Sequence, residues 1–159
     1  TLGNRVVFEL RRPTIEGIPS DRWAREAFID LCDALAPAWA SAQHPAEYWV
    51  KVMSERPSIQ AVGRDFARWL PGLFWLNGFG RRYIELVGEP TLRATPATEV
   101  VPLDGCIVVV RGDDPRDWAT PGSLHVEQAI AAHLGADLFF DRTDPHRPGR
   151  APDWGALPR

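Results

Sequence analysis

The run Cys106-Ile107-Val108-Val109-Val110 constrains this chain more than any other feature, because every one of its residues is apolar. A strand with one wet face alternates apolar and polar residues. A strand that is apolar throughout lies between two covering layers. The chain must therefore supply a sheet with material packed on both faces. Asp104-Gly105 precedes the run and suits a type I′ turn, which needs positive φ at both positions. Thr98–Leu103 and Cys106–Arg111 thus read as a tight hairpin. Pro102 has no N–H to donate to a ladder, which places its strand at a sheet edge or interrupts it there.

The other elements follow from periodicity and punctuation. Val6, Phe8 and Leu10 alternate within Arg5–Arg11, a strand with one buried face. After a Pro13–Pro19 loop, Ser20 caps a helix whose apolar row is Trp23, Ala27, Leu31 and Leu35, flanked by Phe28 and Cys32. Trp39–Gln43 reads as a short strand. Pro45–Glu55 reads as a helix with Trp49, Val50 and Met53 inside. Ser58 caps a further helix that turns Val62, Phe66, Trp69 and Leu70 inward and stops at Pro71-Gly72. Leu73–Leu76 reads as a strand closed by the turn pair Asn77-Gly78, and Gly80–Val87 as a short helix with Gly88 as its left-handed terminator. Pro121–Leu134 is a helix between Thr120 or Ser123 and Gly135, and Ala136–Phe140 a last strand.

From Leu73 onward this order is β-α-β-β-α-β, the ferredoxin-like pattern. The expected fold is a single α+β domain over residues 1–140. It has a mixed or antiparallel sheet, a ferredoxin-like core and an N-terminal β-α layer as the second cover. Residues 141–159 form an extended Pro/Arg-rich tail, ordered where Trp154 or Leu157 docks. A chain of 159 residues can bury such a core without disulfides or metal. The seven tryptophans read as core filling. Lys51 is the only lysine among 18 basic residues, and Arg, Ala and Pro abound, as in a GC-rich bacterial coding sequence.

Much chemistry is excluded. No apolar run approaches the ~20 residues of a membrane helix, and no basic-then-apolar segment opens the sequence, so no secretory signal is visible. A formal charge of -3 argues against a nucleic-acid partner. No phosphate loop and no Gly-x-Ser-x-Gly elbow is present; Gly78-Phe79-Gly80 reads as a turn and a helix start. His125 and His133 lie more than two helical turns apart, roughly 12 Å, too far to share a metal. Cys32 and Cys106 read as buried structural thiols. Lys51 has no carboxylate cluster near it in sequence of the kind an endonuclease uses. No catalytic residue, cofactor or metal is expected.

What remains is charge. Between positions 99 and 127 stand Glu99, Asp104, Asp113, Asp114, Asp117 and Glu127, against Arg111 and Arg116 only. An acidic loop at Asp113–Thr120 with an exposed Trp118 suits a protein-binding surface, in which carboxylates steer a basic partner and the indole anchors it. The expected partner-binding residues are Asp113, Asp114, Asp117, Trp118 and Glu127. Two other readings stay open. One is an interaction module of a larger bacterial protein. The other is an enzyme without a recognisable motif, its cleft lined by Trp75, Asn77, Tyr83 and the acidic loop.

The stretch Pro71-Gly-Leu-Phe-Trp-Leu-Asn-Gly-Phe-Gly-Arg-Arg-Tyr-Ile-Glu-Leu-Val-Gly88 resembles the central motif of the immunity protein 52 family of bacterial polymorphic toxin systems. The shared features are an apolar strand, an Asn, an aromatic-Gly pair and a short helix ending in Gly. The similar part extends over roughly residues 70–140, with a Gly105 hairpin into an apolar strand and an Asp-Pro-rich loop. The resemblance implies a cytoplasmic α+β protein that binds and neutralises one cognate toxin, often a nuclease, without catalysis of its own.

Overall fold

The computed structural model describes residues 20–54, 60–63 and 65–155. The Arg5–Arg11 strand, the Pro13–Pro19 loop, Ser58 and Leu157 lie outside the described residues.

The fold is α+β, built on one four-stranded antiparallel sheet. Its strands are β1 (Trp39–Ala42), β4 (Leu76–Gly80), β5 (Glu99–Leu103) and β6 (Cys106–Val110), in the spatial order β1-β4-β6-β5. A separate ribbon pairs β2 (Met53–Ser54) with β3 (Gln60–Ala61). The helices are α1 (Ser20–Leu35), α2 (Pro45–Val52), α3 (Arg81–Val87), α4 (Glu89–Arg93) and α5 (Pro121–Leu134). Among the described residues no helix is long and apolar enough to cross a membrane.

β6 is buried at all five positions, as its composition requires. Cys106, Val108 and Val110 point to one face, where Trp75, Leu76 and the α1 residues Ala24, Phe28, Ile29 and Cys32 cover them. Ile107 and Val109 point to the other, against Phe79, Tyr83, Leu92, Ile130, Leu134 and Leu138 from β4, α3, α4, α5 and the turn after α5. β5 is the edge strand, one of the two placements Pro102 allows. The hairpin turn has positive φ at Gly105 (85°) and not at Asp104, so it is not the expected type I′.

Several local readings lose to pairing and burial. Asn77-Gly78 is not a turn: both residues lie inside β4, paired to β1 on one side and β6 on the other. The Asn77 side chain instead braces the approach to the strand. Its Oδ1 accepts the Phe74 N–H at 2.9 Å and its Nδ2 donates to the Phe74 carbonyl at 2.8 Å. Residues 73–75 are therefore outside the strand. The helix expected after Ser58 is replaced by β3 and a turn at residues 66–68, with Trp69 and Leu70 buried beyond it.

The last strand, Ala136–Phe140, is a 3-10 turn (Ala136–Leu138) followed by a single parallel bridge from Phe139 to Leu70. Leu70 makes both bonds of that bridge, its N–H donating to the Leu138 carbonyl and its carbonyl accepting from the Phe140 N–H, each at 2.8 Å. The order β4-β6-β5, with β6 antiparallel to both neighbours, is that of a ferredoxin-like sheet for its first three strands; the expected fourth strand is missing, and β1 from the N-terminal part takes its place beside β4.

Helices α1 and α2 are rotated from the expected faces. In α1 the row Ala24, Phe28, Cys32 faces the sheet, whereas Trp23, Leu31 and Leu35 are exposed. In α2 Trp49 and Val50 are exposed and Glu47 and Val52 are buried. Of the tryptophans, Trp69 and Trp75 are core residues while Trp23 and Trp49 face solvent.

Residues 141–155 fold back over the body. The Trp154 indole donates to the Phe66 carbonyl at 2.7 Å and meets Tyr83 edge-on, with ring centroids 6.0 Å apart.

Candidate acidic cleft and its buried ion network

After β6 the chain turns outward through Gly112 and reaches Asp114, which caps a 3-10 turn at Pro115–Ala119. Asp114 Oδ1 accepts the Arg116 N–H at 2.8 Å, and the Arg116 guanidinium folds back onto the same carboxylate, with Nε at 2.7 Å from Oδ1. These bonds from Arg116 hold the Asp114 carboxyl below the usual carboxylate range. Arg116 also reaches Asp21 at 3.2 Å and so ties this turn to the start of α1. Thr120 then caps α5, its Oγ1 accepting the Ser123 N–H at 3.3 Å.

Two successive caps fold the segment into a cleft of about 170 Å³, lined by Asp113, Asp114, Asp117, Thr120, Ser123, Thr98 and Arg111 among others. Three of the five expected partner residues are thereby brought to one place. Asp113 and Asp117 are exposed and carry no ion pair or side-chain hydrogen bond among the described residues. Trp118 sits on the 3-10 turn but is half-buried rather than exposed, and the large apolar residue exposed nearest to it in sequence is Leu124.

Glu127 is turned away from this cleft. It belongs to an internal network with Glu47 and Lys51 of α2 and Arg111 at the end of β6. Lys51 Nζ lies 2.8 Å from Glu47 Oε1, 2.5 Å from Glu127 Oε2 and 2.5 Å from the Leu73 carbonyl. Arg111 pairs with Glu47 and lies 2.9 Å from Glu127 Oε2. Glu47 is 0% exposed and Arg111 2%, and among the described residues Glu47 Oε2 and Arg111 Nε have no hydrogen-bond partner. Two acids and two bases cancel, which lets the group sit indoors. Lys51 therefore does meet carboxylates, drawn from positions 47 and 127. Glu47 has no surface from which to touch a solute, so the arrangement anchors α2 and α5 to the sheet and forms the wall behind the cleft. The i,i+4 spacing of Glu47 and Lys51 was the one local signal of it; Arg111 and Glu127 carry no sequence mark of their partners.

A larger cleft of about 260 Å³ lies between Gly72, Glu127, Phe139 and Arg142. Its arginines are already engaged: Arg142 donates to the Val50 carbonyl at 2.6 Å, and Arg147 to the Ala136 carbonyl at 2.7 Å and to Asp141 at 3.1 Å. The acidic cleft, with unpaired carboxylates, is the better candidate site. Trp75, Asn77 and Tyr83 line neither, being 4%, 0% and 0% exposed, so the enzyme cleft drawn through them does not form. Among the described residues no three His, Cys, Asp or Glu side chains are placed to hold a metal ion.

The cleft thus gathers the Asp113, Asp114 and Asp117 carboxylates with the Thr120 and Ser123 hydroxyls, a set rich in hydrogen-bond acceptors. No protein-family model matches the chain, and neither a curated protein nor a solved structure matches it. The likeness of Pro71–Gly88 to the immunity protein motif therefore stands on those residues alone.

Proposed function

We propose that this chain is a non-enzymatic immunity protein of a bacterial polymorphic toxin system, acting in the cytoplasm by binding one cognate toxin. The observation that carries the reading is the convergence of Asp113, Asp114 and Asp117 on one cleft, with two of the three carboxylates unpaired. Unpaired acids held on capped turns steer and seat a basic partner. A toxin of the nuclease kind presents such a surface in its substrate groove. The resemblance of residues 71–88 supports the same class.

The test is growth protection and association kinetics with the toxin encoded beside this gene. Asp113→Lys with Asp117→Lys leaves the Asp114 cap intact, so the fold should survive. Association of the double variant should be slower at low salt. The difference should shrink toward physiological ionic strength, where the Debye length is about 8 Å. Equal protection and equal rates would remove the cleft from the interface. A wild-type chain that neither binds nor protects would sink the immunity reading itself.

A further inference from the structure

The chain has two cysteines, and the fold brings them together. Cys32 lies on the sheet-facing row of α1, and Cys106 is the first residue of β6; both are free and buried, 2% and 0% exposed. They meet over Gly78 of β4. A Cβ built on Gly78 would stand 3.0 Å from the Cys32 sulfur and 3.4 Å from the Cys106 sulfur, so both sulfurs occupy the space that glycine leaves open. The two thiols are close enough to shift one another, Cys106 down and Cys32 up from the ordinary thiol value. One buried cysteine is ordinary small apolar filling. Two, from elements far apart in sequence and set over the same glycine, are a different arrangement.

We propose that Cys32 and Cys106 are a disulfide-forming pair that joins α1 covalently to the sheet. The oxidant is a low-molecular-weight disulfide such as oxidised glutathione. The Cys106 thiolate attacks one of its sulfurs, a mixed disulfide forms, and one glutathione thiolate leaves. The Cys32 thiolate then attacks the Cys106 sulfur and expels the second glutathione. The protein gives up two electrons and two protons, and the oxidant becomes two thiols. The neighbouring Cys32 lowers the Cys106 thiol toward the thiolate form, which makes Cys106 the attacking group, while Cys106 and burial push Cys32 up. Both sulfurs lie beneath α1, so exchange waits on the helix lifting from the sheet. Its outer row, Trp23, Leu31 and Leu35, has no covering layer among the described residues to hold it down. This inference does not depend on the toxin-binding reading.

The experiment uses the full chain, reduced, then equilibrated in glutathione buffers of rising oxidation at neutral pH. The expected product is a monomer lighter by two hydrogens, whose unreduced peptide map links the Cys32 and Cys106 peptides. Its melting temperature should rise by about 10–15 °C, since the bond closes a long loop of the unfolded chain, and dithiothreitol should reverse the rise. The Cys106→Ser variant should show neither the link nor the rise. Two free thiols at the most oxidising ratio, in buffer and in mild urea alike, would overturn the proposal. So would a bond formed only between copies, or a link that leaves the melting temperature unchanged or lower.

Discussion

Replacing Arg111 by leucine tests whether the buried network is a balanced set of charges or a collection of independent contacts. The substitution keeps an apolar stem at the end of β6 but removes one of two cations from a group with two carboxylates. Glu47, fully buried, must then share Lys51 with Glu127, at 2.8 and 2.5 Å. One negative charge is left uncompensated indoors. Losses of this kind cost about 3–5 kcal/mol, a large part of a typical stability of about 5–15 kcal/mol, and should lower the melting temperature by about 6–20 °C. Glu47→Leu leaves the opposite imbalance. The double variant restores neutrality, keeps the Lys51–Glu127 pair and eliminates the two unpartnered atoms, Glu47 Oε2 and Arg111 Nε. Its cost should fall short of the sum of the single costs by about 2–3 kcal/mol. Urea unfolding of the four proteins, followed by tryptophan fluorescence and compared at constant m, measures this directly. Additive costs, or an Arg111→Leu variant of wild-type stability, would refute the reasoning.

Gly80→Ala should destabilise at or beyond the upper end of ordinary overpacking, about 3 kcal/mol, because its Cβ would stand 2.0 Å from the Pro37 carbonyl oxygen; chemical denaturation checks it. Trp75→Ala removes a 4%-exposed indole that donates to the Gly112 carbonyl at 2.8 Å, and should cost about 3–5 kcal/mol in the same assay. Asp114, whose carboxyl is depressed first by its Arg116 side-chain bonds, should titrate by NMR below the ordinary value of about 3.9. The small stabilisation it lends is present above that value and is lost as pH falls through the depressed one; Arg116→Gln should move the midpoint up.

The parts of the fold legible in the sequence are those where local chemistry and tertiary context agree. Pro121–Leu134 has a cap, a proline at its start and a glycine after its end, and the helix occupies those residues. The uniform apolarity of Cys106–Val110 announced two covering layers, and both are present. Where the two disagree, pairing wins. Asn77-Gly78 is a strong turn signal, yet β1 and β6 claim its backbone from both sides. The α1 row Trp23, Leu31, Leu35 is as apolar as its inner row, yet the inner row is the one that packs, with Cys32 in the space the Gly78 side chain leaves open. That Asp113, Asp114 and Asp117 share one cleft was legible because they lie close together in the sequence. Glu127, grouped with them from the sequence, stands apart because its partners Lys51 and Arg111 approach from other elements.

The strand order β1-β4-β6-β5 also dictates how the sheet assembles. Only the β5–β6 hairpin joins neighbours in sequence, closing across two residues, so it costs little chain entropy and forms on the microsecond scale. β4 can add to it only after α3 and α4 have brought the chain round, and β1, from the far side of α2, has no edge to join until β4 is in place. The strand with two glycines and an asparagine is thus the one on which closure of the whole sheet waits. Substitutions in β4 should slow folding, whereas those at the β1 edge should chiefly speed unfolding.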